Sequence, residues 1–522
     1  MSSRFASRGS LPLRVALGTL ALVVAIHLSV GLVYVEHERI NIDEGWYLYA
    51  AKLVHSGMRP YLDFSYVQPP LLPYFYAAWN GYRDLRAGRL VSLALSVCSL
   101  ILLILVAWRW EGPVAALTSG ALLGLNTFVL SLFCIVKAYA LVSTLLLLAL
   151  LWLVWAPEKW WSHVLAAGAL VGAIGTRNTF LVAWAVWVIY TLLTRPRRPD
   201  LWGPALGVGL VGLGLLFGPF WLADPTAVRF NLWEHHRGQL GGGAMVRLFQ
   251  VLANLSFLSK ANAPLLGLLL AGGGTLLVLR PTCSAWRQPS LYLLVLLLLV
   301  GVGAAHFISA HPYAEYQAPL VPLAALLAGV SMGRLHRCLN ESLAQRLVIW
   351  TALALAGAVP LLSLPTTLAN VVGVKEQGAA SLGTLRPLAT FVQQHTQPTD
   401  EIFTFQTYLA VEAQRRVCPG LEMAAFSYYG PKSLSGRHLS TAECHRLHVV
   451  NDAIVRDWFA RRRPALVVLS EGDVTLLGGT TEGDQVQARG EILPLLLAGY
   501  RLVKVFPRVG QFAERMYVFE RL

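Results

Sequence analysis

The sequence predicts a polytopic α-helical membrane protein that carries a soluble α/β domain at its C-terminal end. Of its 522 residues, 56% are hydrophobic and only 13% are charged, which is too apolar for a soluble chain of this size. A helix that crosses the hydrocarbon core needs about 20 mostly apolar residues. Runs of that kind recur up to Leu364, and none follows it. The chain is therefore expected to divide into a membrane domain, residues 1–364, and a soluble domain, residues 365–522.

Eleven apolar runs are bounded by charged residues or by Pro and Gly and are predicted to be membrane spans. The first follows a basic leader, but it is long and no small-residue cleavage site precedes the charged residues after it, so we expect a retained span rather than a signal peptide. Arg177-Asn178 separates the fifth and sixth runs, which form two short spans only if a tight turn lies there. The predicted spans are residues 13–35, 87–107, 113–132, 135–155, 163–179, 180–194, 201–222, 262–279, 290–308, 317–333 and 347–364.

Basic residues are concentrated in one set of the loops between these runs. That set contains thirteen Lys and Arg residues against four acidic residues. Because loops rich in Lys and Arg stay in the cytoplasm, we expect this set and the N-terminus to be cytoplasmic in a bacterial inner membrane. An odd number of spans then places the first loop, residues 36–86, and the C-terminal domain on the periplasmic or extracellular side. The net charge of +14 is thus a topology signal and does not indicate nucleic acid as a partner.

The first loop begins with a predicted helix that carries two adjacent acids. Asn41 is suited to cap this helix, and Asp43 and Glu44 fall in its first turn, at the positive end of the helix dipole. Such a pair can be no more than a helix start. Because a third acid and several aromatic residues follow within the same loop, we interpret the acids as functional.

The second half of the first loop is predicted to form a turn that returns the chain to the membrane. The segment from Arg59 through Tyr61 contains a proline that favours an extended path, and Asp63 supplies the third acid. Gln68 then precedes two prolines at the start of the next apolar stretch. We expect this turn to lie beside the acids of the helix and to contribute to the site.

Six further side chains with a charge or a hydroxyl are predicted at the ends of the spans that lie on the same side of the membrane as the first loop. Ionisable groups in such positions mark functional sites more often than those in loops, and Lys and Arg at a membrane surface suit the phosphate of a lipid. The alternative is that the cations extend to the interface and that the tyrosines belong to an aromatic belt. The six residues are Lys137, Arg177, Lys260, His311, Tyr313 and Tyr316.

The C-terminal domain shows alternating helix and strand patterns without a recognisable catalytic motif. It contains no GxGxxG, P-loop or nucleophile elbow, so we predict no chemistry of its own. The cysteines of the chain show no CxxC pairing. Cys418 and Cys444 can form a disulfide outside the cytoplasm or remain two free thiols, and their spacing leaves both alternatives open.

The stretch DEGWYLYAAKLVHSGMRPYLDFSYVQPPLLPYFYAAW resembles the first periplasmic loop of the GT-C superfamily of integral-membrane glycosyltransferases. The resemblance is to bacterial relatives of the protein O-mannosyltransferases, in glycosyltransferase family 39, and of the lipid A aminoarabinose transferase. The shared elements are an acidic pair that opens a helix, a Gly, a Pro-Tyr-x-Asp-Phe turn and a Pro-Pro-Leu return. A looser similarity covers the membrane domain, where Lys137, Arg177 and the segment His311 to Tyr313 stand at the positions of basic and aromatic donor-site residues.

The resemblance implies an enzyme, a hexosyl- or pentosyltransferase of the cell envelope, that transfers a sugar with inversion. The donor would be a polyprenyl-phosphate sugar in the membrane lipids, and the acceptor a glycan, lipid or protein. By the same resemblance Asp43 is the general base, and Glu44 acts beside it in acceptor binding or in local hydrogen bonding. The residues expected to bind the donor phosphate are Lys137, Arg177, Lys260, His311, Tyr313 and Tyr316. Those expected to contact the acceptor or to shape the loop are Arg59, Tyr61, Asp63 and Gln68.

Two points stay open after this comparison. Some members have a second acid in the short loop after the third span, whereas the only charged residue from Leu130 to Tyr139 here is Lys137. The need for a divalent cation is therefore undecided. The alternative function is a transporter or flippase of polyprenyl-linked glycans or lipids. Such proteins commonly have inverted repeats, and none is visible in this sequence.

Overall fold

The computed structural model describes residues 13–238, 244–270, 289–308, 312–338, 381–431 and 437–522, with isolated residues between 351 and 372. Within these ranges, six helices are long and apolar enough to cross a membrane, or seven if one bent helix pair counts as a single span. The protein is therefore a multi-pass membrane protein. The total of eleven spans stays a prediction, because much of 262–279 and of 347–364 lies outside the described residues.

Helices joined by short connections form the membrane domain. Most predicted spans within the described residues contain one helix of this set, and the chain breaks at Arg177 as expected. The helices are α1 (Leu13–His37), α2 (Ile42–His55), α3 (Leu71–Ala78), α4 (Leu85–Glu111), α5 (Pro113–Gly124), α6 (Thr127–Phe133), α7 (Ala138–Trp155), α8 (Trp160–Thr176), α9 (Leu181–Thr194), α10 (Pro199–Ala223), α11 (Pro225–Arg229), α12 (His235–Gly238), α13 (Ala244–Ala261), α14 (Pro289–Ile308) and α15 (Val321–Cys338). Short 3-10 helices cover Gly81–Arg83, Asn178–Phe180 and Ala314–Leu320, and a π-helical turn covers Phe230–Glu234.

The third predicted span, 113–132, is not one straight helix, because α5 and α6 meet at an angle of 64°. Asn126 lies at the break, where its side-chain oxygen accepts a hydrogen bond from the backbone N–H of Val129 and so caps α6. Its amide group donates to Asn262 at 2.8 Å. The chain stays non-helical over 134–137, so α7 begins later than the predicted 135. This non-helical segment brings Lys137 to the site described below.

Charged side chains at the helix ends form two separate sets. In one set, Glu111 at the end of α4 pairs with Arg334 of α15 at 2.7 Å, and Glu158 pairs with Arg198 at 2.9 Å. These pairs join helix ends that are all expected to be cytoplasmic. The other set contains Asp43 of α2 and lies at the opposite helix ends.

The C-terminal domain is built on a five-stranded mixed sheet, in which the strands follow one another in the order β2 (Arg416–Val417), β1 (Glu401–Phe403), β3 (Leu466–Ser470), β7 (Glu514–Arg521) and β6 (Tyr500–Val509). The central strand β3 is buried along its whole length, while Cys418 and Cys444 are buried free thiols. This architecture confirms the predicted α/β domain. Its elements are α16 (Leu382–Gln394), β1 (Glu401–Phe403), α17 (Thr407–Glu412), β2 (Arg416–Val417), α18 (Thr441–Leu447), α19 (Asp452–Ala460), β3 (Leu466–Ser470), α20 (Glu471–Leu476), β4 (Thr480–Glu482), β5 (Gln485–Gln487), α21 (Leu493–Gly499), β6 (Tyr500–Val509) and β7 (Glu514–Arg521).

The C-terminal domain packs directly against α2 of the first loop. At Gly45 the approach is so close that an added β-carbon would lie 2.2 Å from the backbone nitrogen of Tyr408, so only glycine fits there. One turn further along α2, the hydroxyl of Tyr49 accepts a hydrogen bond from the backbone N–H of Val417 at 3.0 Å. The soluble domain thus helps to fix the position of the helix that carries Asp43.

Candidate active site

The candidate site is built on the first turn of α2, which starts with a capping box. The Asn41 side chain accepts a hydrogen bond from the backbone N–H of Asp43 at 3.0 Å, and the carboxylate of Glu44 accepts one from the backbone N–H of Asn41 at 2.9 Å. Neighbouring residues on a helix point in different directions. Asp43 and Glu44 therefore face different surroundings although they are adjacent in the chain.

Glu44 faces the protein interior and forms an ion pair with Arg89 of α4. Both side chains are fully buried, and the two guanidinium contacts measure 2.7 and 2.8 Å. The same carboxylate accepts a hydrogen bond from the backbone N–H of Val136 at 3.2 Å, and Arg89 also donates to the carbonyl groups of Val35 and Glu38. These contacts enclose the Glu44 carboxylate, which is not exposed. These contacts fit the predicted role in local hydrogen bonding, and the role of Glu44 in the reaction stays a prediction.

Asp43 faces the opposite way and forms a cluster with Lys137 and Glu315. The Lys137 ammonium lies 3.2 Å from Oδ2 of Asp43 and 2.7 Å from Oε1 of Glu315. Trp46 donates to Oδ1 of Asp43 at 3.1 Å, and Tyr139 donates to Glu315 at 3.2 Å. Lys137 is buried, whereas the side chains of Asp43 and Glu315 are 26% and 28% exposed. The two carboxylates are thus partly exposed, and the ammonium of Lys137 lies buried between them.

The charge state of Lys137 follows from these neighbours. Burial alone would lower the pKa of the Lys137 ammonium, but the carboxylates of Asp43 and Glu315 outweigh burial and raise that pKa. The side chain therefore remains a cation at neutral pH. A permanent cation next to a partly exposed carboxylate is suited to hold an anion beside a proton acceptor.

Arg177 supplies a second buried cation at the break between α8 and α9. Its guanidinium lies 4.2 Å from the ring centre of Tyr316 and 5.4 Å from that of Tyr139, contacts that stabilise a cation on an aromatic face. Its Nε atom has no hydrogen-bond partner among the described residues. Tyr313 packs edge-on against Tyr316 and is half exposed. The structure thus brings together Asp43 with the predicted donor residues Lys137, Arg177 and Tyr316, and Tyr313 lies at the edge of this group through its ring contact with Tyr316.

The turn in the second half of the first loop is stabilised by contacts of its own. Arg59 and Asp63 form an ion pair at 3.1 Å on its exposed side, and the buried Tyr61 donates its hydroxyl to the carbonyl of Gln68 at 2.6 Å. In the described part of the chain, no hydrogen bond or ion pair links these four residues to the Asp43 cluster. Their assignment to the acceptor or loop stays a prediction.

Two predicted donor residues lie outside the cluster. Lys260 is exposed near the end of α13, and none of the described contacts joins it to Asp43. His311 lies outside the described residues, as the ranges given above show. The donor roles of Lys260 and His311 therefore stay predictions.

The need for a divalent cation stays undecided, and a cation shared by Asp43 and Glu315 would have to displace the ammonium of Lys137. Lys137 occupies the space between Asp43 and Glu315, where a metal shared by these two groups would bind. Among the described residues, no three or more His, Cys, Asp or Glu side chains are grouped so that they could hold a metal ion.

Sequence reasoning missed three residues of the site: Arg89, Trp46 and Tyr139. Arg89 gave a usable signal, because a charged residue inside the predicted span 87–107 needs a buried partner. Trp46 follows Asp43 by three residues, which is the spacing of neighbours on a helix face. Tyr139 gave only the weak signal of a hydroxyl next to Lys137.

The comparisons with known proteins identify the fold. No family model and no curated protein sequence matches the chain. Its structure is similar to that of ArnT from Cupriavidus metallidurans bound to undecaprenyl phosphate, with 16% identity, a TM-score of 0.63 and coverage of 96% of this chain and 98% of that one. The apo form of ArnT gives 17% identity, a TM-score of 0.64 and coverage of 97% and 98%.

A second similar structure is the archaeal oligosaccharyltransferase AglB from Archaeoglobus fulgidus in complex with an inhibitory peptide and a dolichol-phosphate. It is 11% identical, with a TM-score of 0.53, and the match covers 87% of this chain and 69% of that one. At these identities the similarity shows a common fold and does not transfer an activity. The chain has the GT-C fold that ArnT and AglB share, as the resemblance of its first loop predicted.

Proposed function

We propose that the protein is a glycosyltransferase that moves a sugar from a polyprenyl-phosphate donor to a hydroxyl or amine acceptor at the outer face of a bacterial inner membrane. The observation that carries this proposal is the 3.2 Å contact between the Asp43 carboxylate and the buried ammonium of Lys137. It puts a proton acceptor beside a cation suited to a phosphate. The lipid phosphates bound to ArnT and AglB support a donor of the same class.

In this proposal, Lys137 and Arg177 hold the phosphate of the donor. Lys137 can exchange its contact with Glu315 for the phosphate, while Arg177 offers an N–H group that no described residue occupies. Charge-assisted bonds of this kind are roughly twice as strong as neutral ones. Both cations also stabilise the negative charge that develops on the phosphate as it leaves.

Asp43 is the general base of the proposed reaction. The acceptor oxygen or nitrogen attacks the anomeric carbon, its proton passes to the Asp43 carboxylate, and the bond from that carbon to the phosphate oxygen breaks. The electron pair of this bond stays with the polyprenyl phosphate. Attack from the side opposite the phosphate inverts the anomeric configuration. The sugar can be a hexose or a pentose, and the acceptor a lipid, a glycan or a protein.

The direct test is a transfer assay with membranes that contain the full-length protein. Membranes supplied with radiolabelled polyprenyl-phosphate hexoses or pentoses should consume one of them and accumulate labelled acceptor in the extracted lipid, glycan or protein fraction. Membranes containing equal amounts of the Asp43→Asn variant serve as the control. Equal transfer by the two membranes would contradict the assignment. Movement of the lipid-linked sugar across vesicle membranes without transfer would favour a flippase.

The phosphate site gives a separate prediction for Lys137→Met and Arg177→Met. Each change removes one cation but keeps an apolar stem, and a hydrogen bond to a charged group contributes about 1.5–3 kcal/mol. The apparent affinity for the donor should therefore fall roughly ten- to hundredfold in each variant. Lys159→Met, which replaces an exposed lysine at the opposite helix ends, should leave the affinity unchanged. Unchanged donor affinity in both site variants would show that these cations only extend to the membrane interface.

The topology gives a further prediction. We propose that the N-terminus is cytoplasmic and that the C-terminal domain is periplasmic, because the loops with excess Lys and Arg are then all cytoplasmic. A reporter that is active only in the periplasm, fused after Leu522, should be active. The same reporter fused after Arg198, between α9 and α10, should be inactive. The reverse pattern at normal expression would overturn the orientation.

A further inference from the structure

A cavity of about 850 Å³ lies at the end of α10 that faces the C-terminal domain. One wall comes from α10, a second from the segment that contains α11 and the π-helical turn, and the third from Arg437 of the C-terminal domain. None of its lining residues belongs to the Asp43–Lys137 cluster. The cavity is therefore a separate feature from the candidate active site.

The wall formed by α10 is apolar and continuous with the surface that faces the bilayer. Phe217 and Trp221 lie one helical turn apart on this wall, and the nearby Leu215 and Leu222 are strongly exposed. In a helix of this hydropathy, exposed leucines face lipid. Trp233 adds a second exposed indole to the cavity, and tryptophans of this kind are typical of the membrane interface. A hydrocarbon chain can therefore reach the cavity from the side.

The opposite wall carries an excess of positive charge. Glu234 forms ion pairs with Arg229 at 2.7 Å and with Arg437 at 3.2 Å, and Arg237 lies on the same side of the cavity. Two guanidinium groups thus pair with one carboxylate and Arg237 adds a third cation, so the residues that line the cavity carry more positive than negative charge. Guanidinium groups bind phosphate oxygens through paired hydrogen bonds, and clustered basic side chains at a membrane surface attract anionic lipids.

We propose that this cavity binds a phosphate-bearing anionic lipid from the membrane leaflet on the side of the C-terminal domain. Arg229, Arg237 and Arg437 hold the phosphate, and the acyl chains lie against Phe217 and Trp221. The occupant is a lipid rather than free phosphate, because the apolar wall opens toward the bilayer. The binding does not depend on the proposed transfer reaction, so either proposal can fail alone.

The test is lipid binding by the purified full-length protein, measured by native mass spectrometry in a neutral detergent. Phosphatidylglycerol should bind more tightly than phosphatidylcholine, which has a phosphate but no net charge. The Arg229→Gln/Arg437→Gln double variant should bind phosphatidylglycerol at least tenfold more weakly. Arg461→Gln, which changes an exposed arginine elsewhere in the C-terminal domain, should bind it normally. Equal binding by the double variant and the unchanged protein would overturn the proposal.

Two further variants separate loss of the site from loss of the fold and from binding of a free anion. Arg237 is exposed, so Arg237→Gln should fold normally and still weaken phosphatidylglycerol binding severalfold. Trp221→Ala removes part of the apolar wall and should weaken lipid binding while leaving the cationic wall intact. If inorganic phosphate at millimolar concentration displaced the lipid completely, or if Trp221→Ala had no effect on lipid binding, the cavity would be an anion site without lipid recognition and the proposal would fail.

Discussion

Asp43→Asn is expected to lower turnover by about 10²- to 10⁴-fold, the usual effect of removing a general base. Asparagine is nearly isosteric with aspartate and keeps one oxygen that can accept the hydrogen bond from Trp46. It cannot take up the acceptor proton. Because the helix cap depends on Asn41 and Glu44 rather than on the Asp43 side chain, the variant should fold like the unchanged protein. Single-turnover rates with saturating donor and acceptor measure this effect directly.

Asp63→Asn is the matched control for this experiment. Asp63 is an acid of the same loop, but it pairs with Arg59 on an exposed turn, and exposed ion pairs contribute about 0–1 kcal/mol. Its removal should lower turnover at saturating acceptor far less than Asp43→Asn does, because the predicted acceptor or loop role of Asp63 concerns binding and not proton transfer. If Asp43→Asn retained near-normal turnover at a pH where the acceptor is not already deprotonated, Asp43 would not be the base. A large loss in Asp63→Asn would then move the assignment to Asp63.

Local signals predicted the parts of this protein that depend on neighbouring residues in the chain. Asn41 and the acids after it predicted the start of α2, and the cap in the structure is formed by these side chains. Arg177-Asn178 predicted the break between α8 and α9. The apolar runs predicted the positions of most described helices, because a bilayer imposes a minimum length on each span.

Features that depend on distant residues could not be predicted in the same way. Asn126 breaks the third span and bonds to Asn262, which is far away in sequence. Gly45 has no special role within α2 itself, and the need for glycine arises only because the backbone at Tyr408 comes so close. The different roles of Asp43 and Glu44 likewise depend on which helices surround α2.

The contacts of Glu44 connect the two halves of the candidate site. Through one carboxylate, the cap of α2 is joined to Arg89 of α4 and to the backbone of Val136. Asp43 is next to Glu44 in the chain, and Lys137 is next to Val136. We therefore expect the buried Glu44 carboxylate, held by Arg89, to help set the distance between the proposed base and the proposed phosphate ligand.

Replacement of Arg89 by Met is expected to destabilise the protein by about 3–5 kcal/mol, because it leaves Glu44 as a buried charge without its partner. Glu44→Gln should be destabilising for the converse reason. The double variant Glu44→Gln/Arg89→Met has neither uncompensated charge. Its loss of folding stability should therefore be smaller than the sum of the losses in the two single variants. Thermal unfolding of the purified proteins in one detergent measures all three variants.

The same variants test the positioning role of the pair. In the double variant, the anchor between α2 and the segment before α7 is weakened, so turnover should fall even at temperatures where the protein remains folded. The apparent pKa of the pH–rate profile should stay close to that of the unchanged protein, since Asp43 and Lys137 are both retained. Arg461→Met, which breaks an exposed pair with Asp457 in the C-terminal domain, should alter neither the unfolding temperature nor the rate appreciably. Additive losses in the double variant, or single variants as stable as the unchanged protein, would show that the Glu44–Arg89 pair does not hold the site together.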